Sequence, residues 1–315
     1  MLDIWWDGVL KHIFRGQVGP FTRSQDISDM SKDIPTWYAA IVLSTFIIIM
    51  APTQKPTLVH VNGAWHTPAS MTKLICSLRA LDYEVHCPRL TSVNGARPPN
   101  SSLATDSELL RSYISSLVEA GRDVVVIMHS YGGKVGTNAL HGLSREARCK
   151  QGLSGGIIQL IYVCAFALGE GKSMAGLVAE FGHEEMMPIT FHIEEDGGLR
   201  FQDARGPLIG DHLGESNEEE VKEYLDSLVP VWNGLCTRDT VTGPAAWREN
   251  PVAYVYCTKD NMVPVEYQKS IVRNIEKEGR EVKTFVLETG HCPNVTATKE
   301  LVAVIDRVIA GAGPN

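Results

Sequence analysis

Asp123-Val-Val-Val-Ile-Met128-His129-Ser130-Tyr131-Gly132-Gly133 is the stretch on which the fold turns. Val124 to Met128 are apolar without interruption, and four of them are β-branched. Continuous hydrophobicity is what a central parallel strand needs, because helices cover both of its faces. Two glycines then end the strand pattern. Val135, Ala139 and Leu140 recur at helical spacing beyond them. The spacing predicts strand, tight turn and helix in direct succession.

Working outward, the same alternation repeats. Thr57–Val61 reads as a buried strand ending at Asn62-Gly63, and Ser70–Leu81 as a helix. Tyr83–Cys87 is a strand stopped by Pro88, and a helix is expected from about Ser107 to Ala120. Gly156–Cys164, Pro251–Cys257 and Val282–Leu287 are further strands. Val265–Glu278 and Leu301–Ile309 are helices. Repeated βα units of this kind predict a doubly wound, mostly parallel α/β sheet. Residues 165–250 break the rhythm. They carry helical patterns at Ser173–Phe181 and Glu218–Val229, and a hairpin signal at Asp196-Gly-Gly between two alternating runs. An insertion of this size reads as a cap of helices plus a hairpin. The expected organisation is a core of 53–164 and 251–315, a cap of 165–250, and an N-terminal extension of 1–52.

That extension holds an apolar run, residues 37–50, shorter than the roughly 20 residues that cross a bilayer comfortably. It lacks the compact basic flank of a signal peptide. Three readings stay open: a membrane anchor that brings residues 37–52 to a lipid surface, an element packed on the domain, or a dispensable leader. The 315 residues are 44% hydrophobic and 21% charged, as in ordinary globular enzymes, and the net charge of -8 argues against a nucleic-acid partner. Seven scattered cysteines without a CxxC pair point to free thiols in a reducing, cytoplasmic compartment rather than a zinc site. Oligomeric state has no signature.

The chemistry starts at Ser130. A serine lifted on a sharp turn between strand and helix is the context of a nucleophile elbow. The bland alternative is a helix cap in a tight turn. Serine needs a base, and His291 follows the strand ending at Leu287. The base needs an acid, and Asp260 stands just past the strand ending at Cys257. Glu170 is a second candidate acid, while Asp211 and Asp239 lie inside the cap and fit less well. The order Ser130, Asp260, His291 suits this architecture. Backbone N–H donors for a developing oxyanion are expected from Tyr131 and from Ala64, with Trp65 as second choice. Trp65, His66, Tyr131, Phe166, Met186, Met187 and Trp232 are candidate substrate contacts, although such residues are more often plain core. No metal or cofactor is implied.

These residues carry a resemblance. Val59-His60-Val-Asn-Gly63-Ala64-Trp65-His66-Thr67-Pro68, His129-Ser130-Tyr131-Gly132-Gly133, Asp260 with Val263-Pro264, and Gly290-His291 with Pro293 resemble the landmarks of α/β-hydrolases. The likeness is to the group holding plant methyl esterases, hydroxynitrile lyases and fungal hydrolases, many of natural-product pathways. It covers about residues 57–310. It implies an α/β-hydrolase fold, a serine hydrolase acting on a small apolar ester, lactone or thioester, and the roles just given for Ser130, Asp260 and His291. Met128 stands where the elbow usually has glycine, and Asn62 where the group often has histidine. The lyases carry lysine directly after the histidine, and this chain has Cys292. A lyase or cyclase on the same residues, or a receptor-like binding module, remain the alternatives.

Overall fold

The computed structural model describes residues 55–211 and 213–311. The expectations for residues 1–52, including the apolar run 37–50, lie outside them. Among the described residues no helix is long and apolar enough to cross a membrane. The strands are β1 (Thr57–Val61), β2 (Val85–His86), β3 (Asp123–His129), β4 (Gly156–Val163), β5 (Phe191–Ile193), β6 (Gly198–Phe201), β7 (Trp232–Asn233), β8 (Val252–Cys257) and β9 (Val282–Leu287). The helices used below are α1 (Thr72–Arg79), α2 (Leu103–Glu119), α3 (Tyr131–Ala139), α4 (Met186–Thr190), α5 (Glu218–Asp226), α6 (Val265–Lys277) and α7 (Thr298–Ile309).

Six strands form one parallel sheet in the order β2-β1-β3-β4-β8-β9. Its two faces follow from strand period. Val124, Val126 and Met128 face one way, with Leu110, Ile114 and Val118 of α2, Val135 of α3 and Ile271 of α6. Val125 and Ile127 face the other way, with Leu74 and Leu78 of α1 and Leu301, Ile305 and Val308 of α7. Both faces of β3 are therefore covered, which is why its sequence shows no alternation.

The structure moves some boundaries. Helix α2 starts at Leu103 rather than near Ser107, because the Ser102 hydroxyl accepts from Thr105 N–H and the Thr105 hydroxyl accepts from Ser102 N–H. This reciprocal cap satisfies donors that open every helix. Between β4 and β8, β5 and β6 form the expected antiparallel hairpin, with Phe191 opposite Phe201. Two features there were not anticipated. Residues Met186–Thr190 are helical, with Pro188 tolerated in the first turn. The hairpin also gains β7 as a third strand, two residues long and too short for any periodic signal.

The turn after β3 is built by contact. A Cβ on Gly132 would lie 2.3 Å from the Val61 carbonyl oxygen and 2.6 Å from that of Asn62. Only glycine lets α3 start this close to β1. Met128 fits at the elbow's first position because Gly136 faces it: a Cβ there would lie 2.2 Å from Met128 Sδ. Gly132→Ala should destabilise the fold by about 3 kcal/mol, since backbone on the far side cannot give way. Urea unfolding measures this, and a cost under about 1 kcal/mol would show that the elbow is not packed as described.

Candidate active site

Ser130 sits in a backbone conformation that side chains avoid, with φ 53° and ψ -123°. Such a residue costs on the order of 1–3 kcal/mol and persists only where its surroundings over-determine it. Here they do. Ser130 N–H donates to the Val163 carbonyl at the end of β4, and the Ser130 carbonyl accepts from Gly133 and Phe166 N–H. The hydroxyl-bearing residue is thus pinned between two strand ends and the first turn of α3.

His291 and Asp260, 31 residues apart, meet in the interior. His291 Nδ1 lies 2.8 Å from Asp260 Oδ2. A carboxylate only accepts, so Nδ1 carries the proton and Nε2 keeps its lone pair. The other carboxylate oxygen, Oδ1, accepts from the N–H groups of Met262 and Val263 at 2.7 and 2.8 Å. His129, the residue before Ser130, donates from Nε2 to the His291 carbonyl at 2.8 Å. The loop carrying His291 is therefore tied directly to the turn carrying Ser130. Glu170 is elsewhere: Arg248 grips its carboxylate at 2.7 Å and holds it down to about 2. That ion pair lines a separate cavity of about 330 Å³.

The loop after β1 comes up against the turn. A Cβ on Gly63 would fall 2.9 Å from Ser130 Cβ. Ala64, Trp65 and Ser130 line one cavity of about 530 Å³ together with Phe166, Met187, Leu199 and Trp232. Its wall is mainly apolar, and Glu184 and Arg238 are its charged members. Trp65, Phe191, Phe201 and Trp232 pack as an aromatic cluster with centroids 4.3–5.2 Å from Trp65. Trp65 Nε1 donates to the Leu199 carbonyl, satisfying its polar edge.

Three expected substrate contacts are not in this wall. Met186 points outward and is 53% exposed, while Met187 turns in, since the two lie on different sides of α4. The Tyr131 ring is buried against Trp232, and its hydroxyl donates to Asp106. Tyr131 N–H remains at the start of α3 without an intrahelical acceptor. His66 is buried, with Nδ1 2.6 Å from the Ala64 carbonyl and Nε2 2.5 Å from the Tyr224 hydroxyl. Both nitrogens are engaged away from the cavity. Asn62 braces the same loop, accepting from His60 Nδ1 and reaching the His66 carbonyl. Tyr224 and His129 carry no local signal of these contacts. Their partners lie 158 and 162 residues away.

His129, Cys164 and His291 each bring a ligand atom within 4.8 Å of the others. The chemistry does not suit a metal, because burial raises the Cys164 thiol well above its ordinary pKa and that thiol donates to the His291 carbonyl. All seven cysteines are free thiols.

Burial holds the pKa of His60 down to about 4 and of His66 to about 3, and keeps His129 well below its usual value. The unfolded chain protonates these rings from about pH 6.5 downward, and the folded chain does not. Their contribution is fully present above that pH and is lost as pH falls toward 4. Each ring removes up to about 1.4 kcal/mol per pH unit across that window. Urea unfolding at stepped pH should show the decline, with a shallower slope in His60→Gln. A flat profile from pH 6.5 to 4.5 would contradict a buried neutral cluster.

Similarity to known proteins agrees with this architecture. Residues 58–304 match the model of the alpha/beta hydrolase family. The chain is 30% identical over 258 residues to the alpha/beta hydrolase nvfD of Aspergillus novofumigatus, covering 82% of this chain and 97% of the relative. It is 26% identical to the probable hydrolase R7 of Phoma sp., covering 80% and 97%. Among solved structures, a pyrethroid hydrolase of Sphingobium faniae superposes with a TM-score of 0.61 at 18% identity, covering 81% of this chain and 97% of that one. Polyneuridine aldehyde esterase does so with a TM-score of 0.61 at 17% identity, covering 81% and 99%. With its parallel six-stranded sheet and its hydrolase relatives, the chain belongs to the alpha/beta hydrolase family and is an esterase-like hydrolase.

Proposed function

We propose that this hydrolase cleaves a carboxylic ester, lactone or thioester of a small apolar metabolite through an acyl-enzyme on Ser130. The observation that carries the reading is the placement of Ser130. It occupies a strained elbow and lines an apolar cavity, beside a loop held to the buried His291–Asp260 pair. A serine hydroxyl in an ordinary turn needs none of these features.

The steps follow from the groups present. Ser130 Oγ attacks the substrate carbonyl carbon and its proton passes to His291 Nε2. Asp260 stabilises the imidazolium without taking its proton. The carbonyl oxygen becomes an oxyanion facing the N–H groups of Tyr131 and Ala64, with Trp65 N–H as the alternative donor. The intermediate collapses, and His291 returns the proton to the departing alcohol or thiol. In a lactone that hydroxyl stays attached to the acyl chain. Water, deprotonated by His291, then attacks the acyl-serine, and the free acid leaves. The chemistry requires no metal or organic cofactor.

The cavity wall supports an apolar substrate. Trp65, Phe166, Leu199 and Trp232 offer rings and methyls, and a site of about 530 Å³ has room for a medium-sized metabolite. A place in natural-product chemistry is supported by the likeness of the motif set to fungal hydrolases.

The full chain should react with a fluorophosphonate probe and turn over a short-chain aryl ester, and Ser130→Ala should lose both. A folded wild type that neither labels nor turns over would sink the reading. Asp260→Asn should keep the fold yet lower kcat by about three to four orders of magnitude, through the wrong imidazole tautomer. Steady-state kinetics on the same ester checks it, and a loss below tenfold would remove Asp260 from the role.

A further inference from the structure

The segment 199–229 grips the loop 64–67 at four points. The Leu199 carbonyl accepts from Trp65 Nε1 at 3.0 Å, and Val229 N–H donates to the Trp65 carbonyl at 2.9 Å. Thr67 Oγ1 donates to the Ser227 carbonyl at 3.1 Å. The fourth contact is the Tyr224 hydroxyl against His66 Nε2 at 2.5 Å. Tyr224 also lies 2.8 Å from Cys292 Sγ, the residue directly after His291. One buried hydroxyl thus sits between the loop beside Ser130 and the loop bearing His291.

The protons in this chain have one consistent order. The Ala64 carbonyl can only accept, so His66 Nδ1 carries the hydrogen of their 2.6 Å bond. The ring is buried and neutral, so Nε2 is a bare acceptor. Tyr224 therefore gives its single proton to Nε2, with Cys292 Sγ as a second neighbour of the same oxygen. Remove the hydroxyl and Nε2 is orphaned. The nearest alternative partner is Cys292 Sγ at 3.8 Å. A shift of the ring hydrogen to Nε2 would then leave two lone pairs, on Nδ1 and on the Ala64 oxygen, facing each other.

We propose that Tyr224 is a positioning residue for the reaction: its hydroxyl fixes the His66 tautomer, and His66 holds the Ala64 carbonyl, fixing the peptide that carries the Trp65 N–H and adjoins the Ala64 N–H. Trp65 makes such a hold necessary, because its φ of 62° is a conformation the loop would otherwise leave. The assignment rests on the acyl-enzyme reading above. It adds that the inserted segment acts on the chemical step as well as walling the cavity. An oxyanion donor acts on charge that develops only in the transition state, so a misaimed peptide slows kcat and leaves substrate binding alone.

Steady-state kinetics of the full chain on an aryl ester tests this with Tyr224→Phe, His66→Ala and the double variant. Tyr224→Phe should lower kcat at least about tenfold with KM within about twofold. The double variant should be no slower than His66→Ala by more than about twofold, because both changes break one chain. Losses that multiply, or a KM effect in place of a kcat effect, would overturn the role. If Tyr224→Phe fails to fold, 15N chemical shifts of His66 in the wild type decide: an Nδ1–H tautomer supports the chain and an Nε2–H tautomer overturns it. A wild type without turnover overturns the ester-hydrolase reading and this role with it. Turnover with an unchanged kcat in Tyr224→Phe overturns this role alone.

Discussion

The hydrogen bonds that clamp Ser130 in its left-handed conformation make most demands on the rest of the molecule. A strained residue at a strand end needs neighbours that cannot yield. The ends of β1 and β4 supply them: Val163 and Phe166 bond the Ser130 peptide groups, and the Val61 and Asn62 carbonyls press against Gly132. Those strand ends must themselves be rigid, and the Val and Ile of β3 with Ile157, Leu160, Ile161 and Val163 of β4 bury both faces of the sheet beneath them. The two-sided core is what allows one turn to store strain.

The second demand is on the polar groups gathered at this edge. His60, His66, His129, Asp260 and His291 are all buried, and burying polar groups costs unless each finds a partner. Four of the partners are backbone: the Ala64 and His291 carbonyls, and the N–H groups of Met262 and Val263. Backbone partners fix tautomers as well as positions, because a carbonyl cannot donate and an amide cannot accept. The arrangement around the candidate nucleophile is therefore pre-set in proton position as well as in heavy-atom position. His129 Nδ1 is the exception, a buried nitrogen with no hydrogen-bond partner. It lies beside Gly63, where the loop presses closest.

The inserted segment joins these two themes. Its aromatic residues close an apolar cavity over Ser130, and its backbone and Tyr224 hold the loop that faces the elbow. Wall and brace come from one piece of chain, so a change of cavity shape and a change of loop position are coupled there.

Much of this was legible in the residues. Strand and helix order, the turn at Ser130, and the nomination of Asp260 and His291 all rest on local patterns: apolar period, glycine at a tight turn, a polar residue just past a strand end. Local pattern also marked Glu218–Val229 as helical. It could not say that Tyr224 in that stretch meets His66, since a contact across 158 residues depends on how the segment folds back. Nor could it separate Met186 from Met187, because one residue of helix phase decides which faces the cavity. His66 read as a substrate contact from its place in the loop, and only packing turned its ring inward. The two-residue strand Trp232–Asn233 exists because β6 offers it a free edge. The sequence by itself determined the layers, the elbow and the residue types at the strand ends, because short-range sterics and burial period decide those. Only the tertiary structure decided which hydrogen bonds each buried polar group makes, because donors and acceptors find partners through the packing of distant segments.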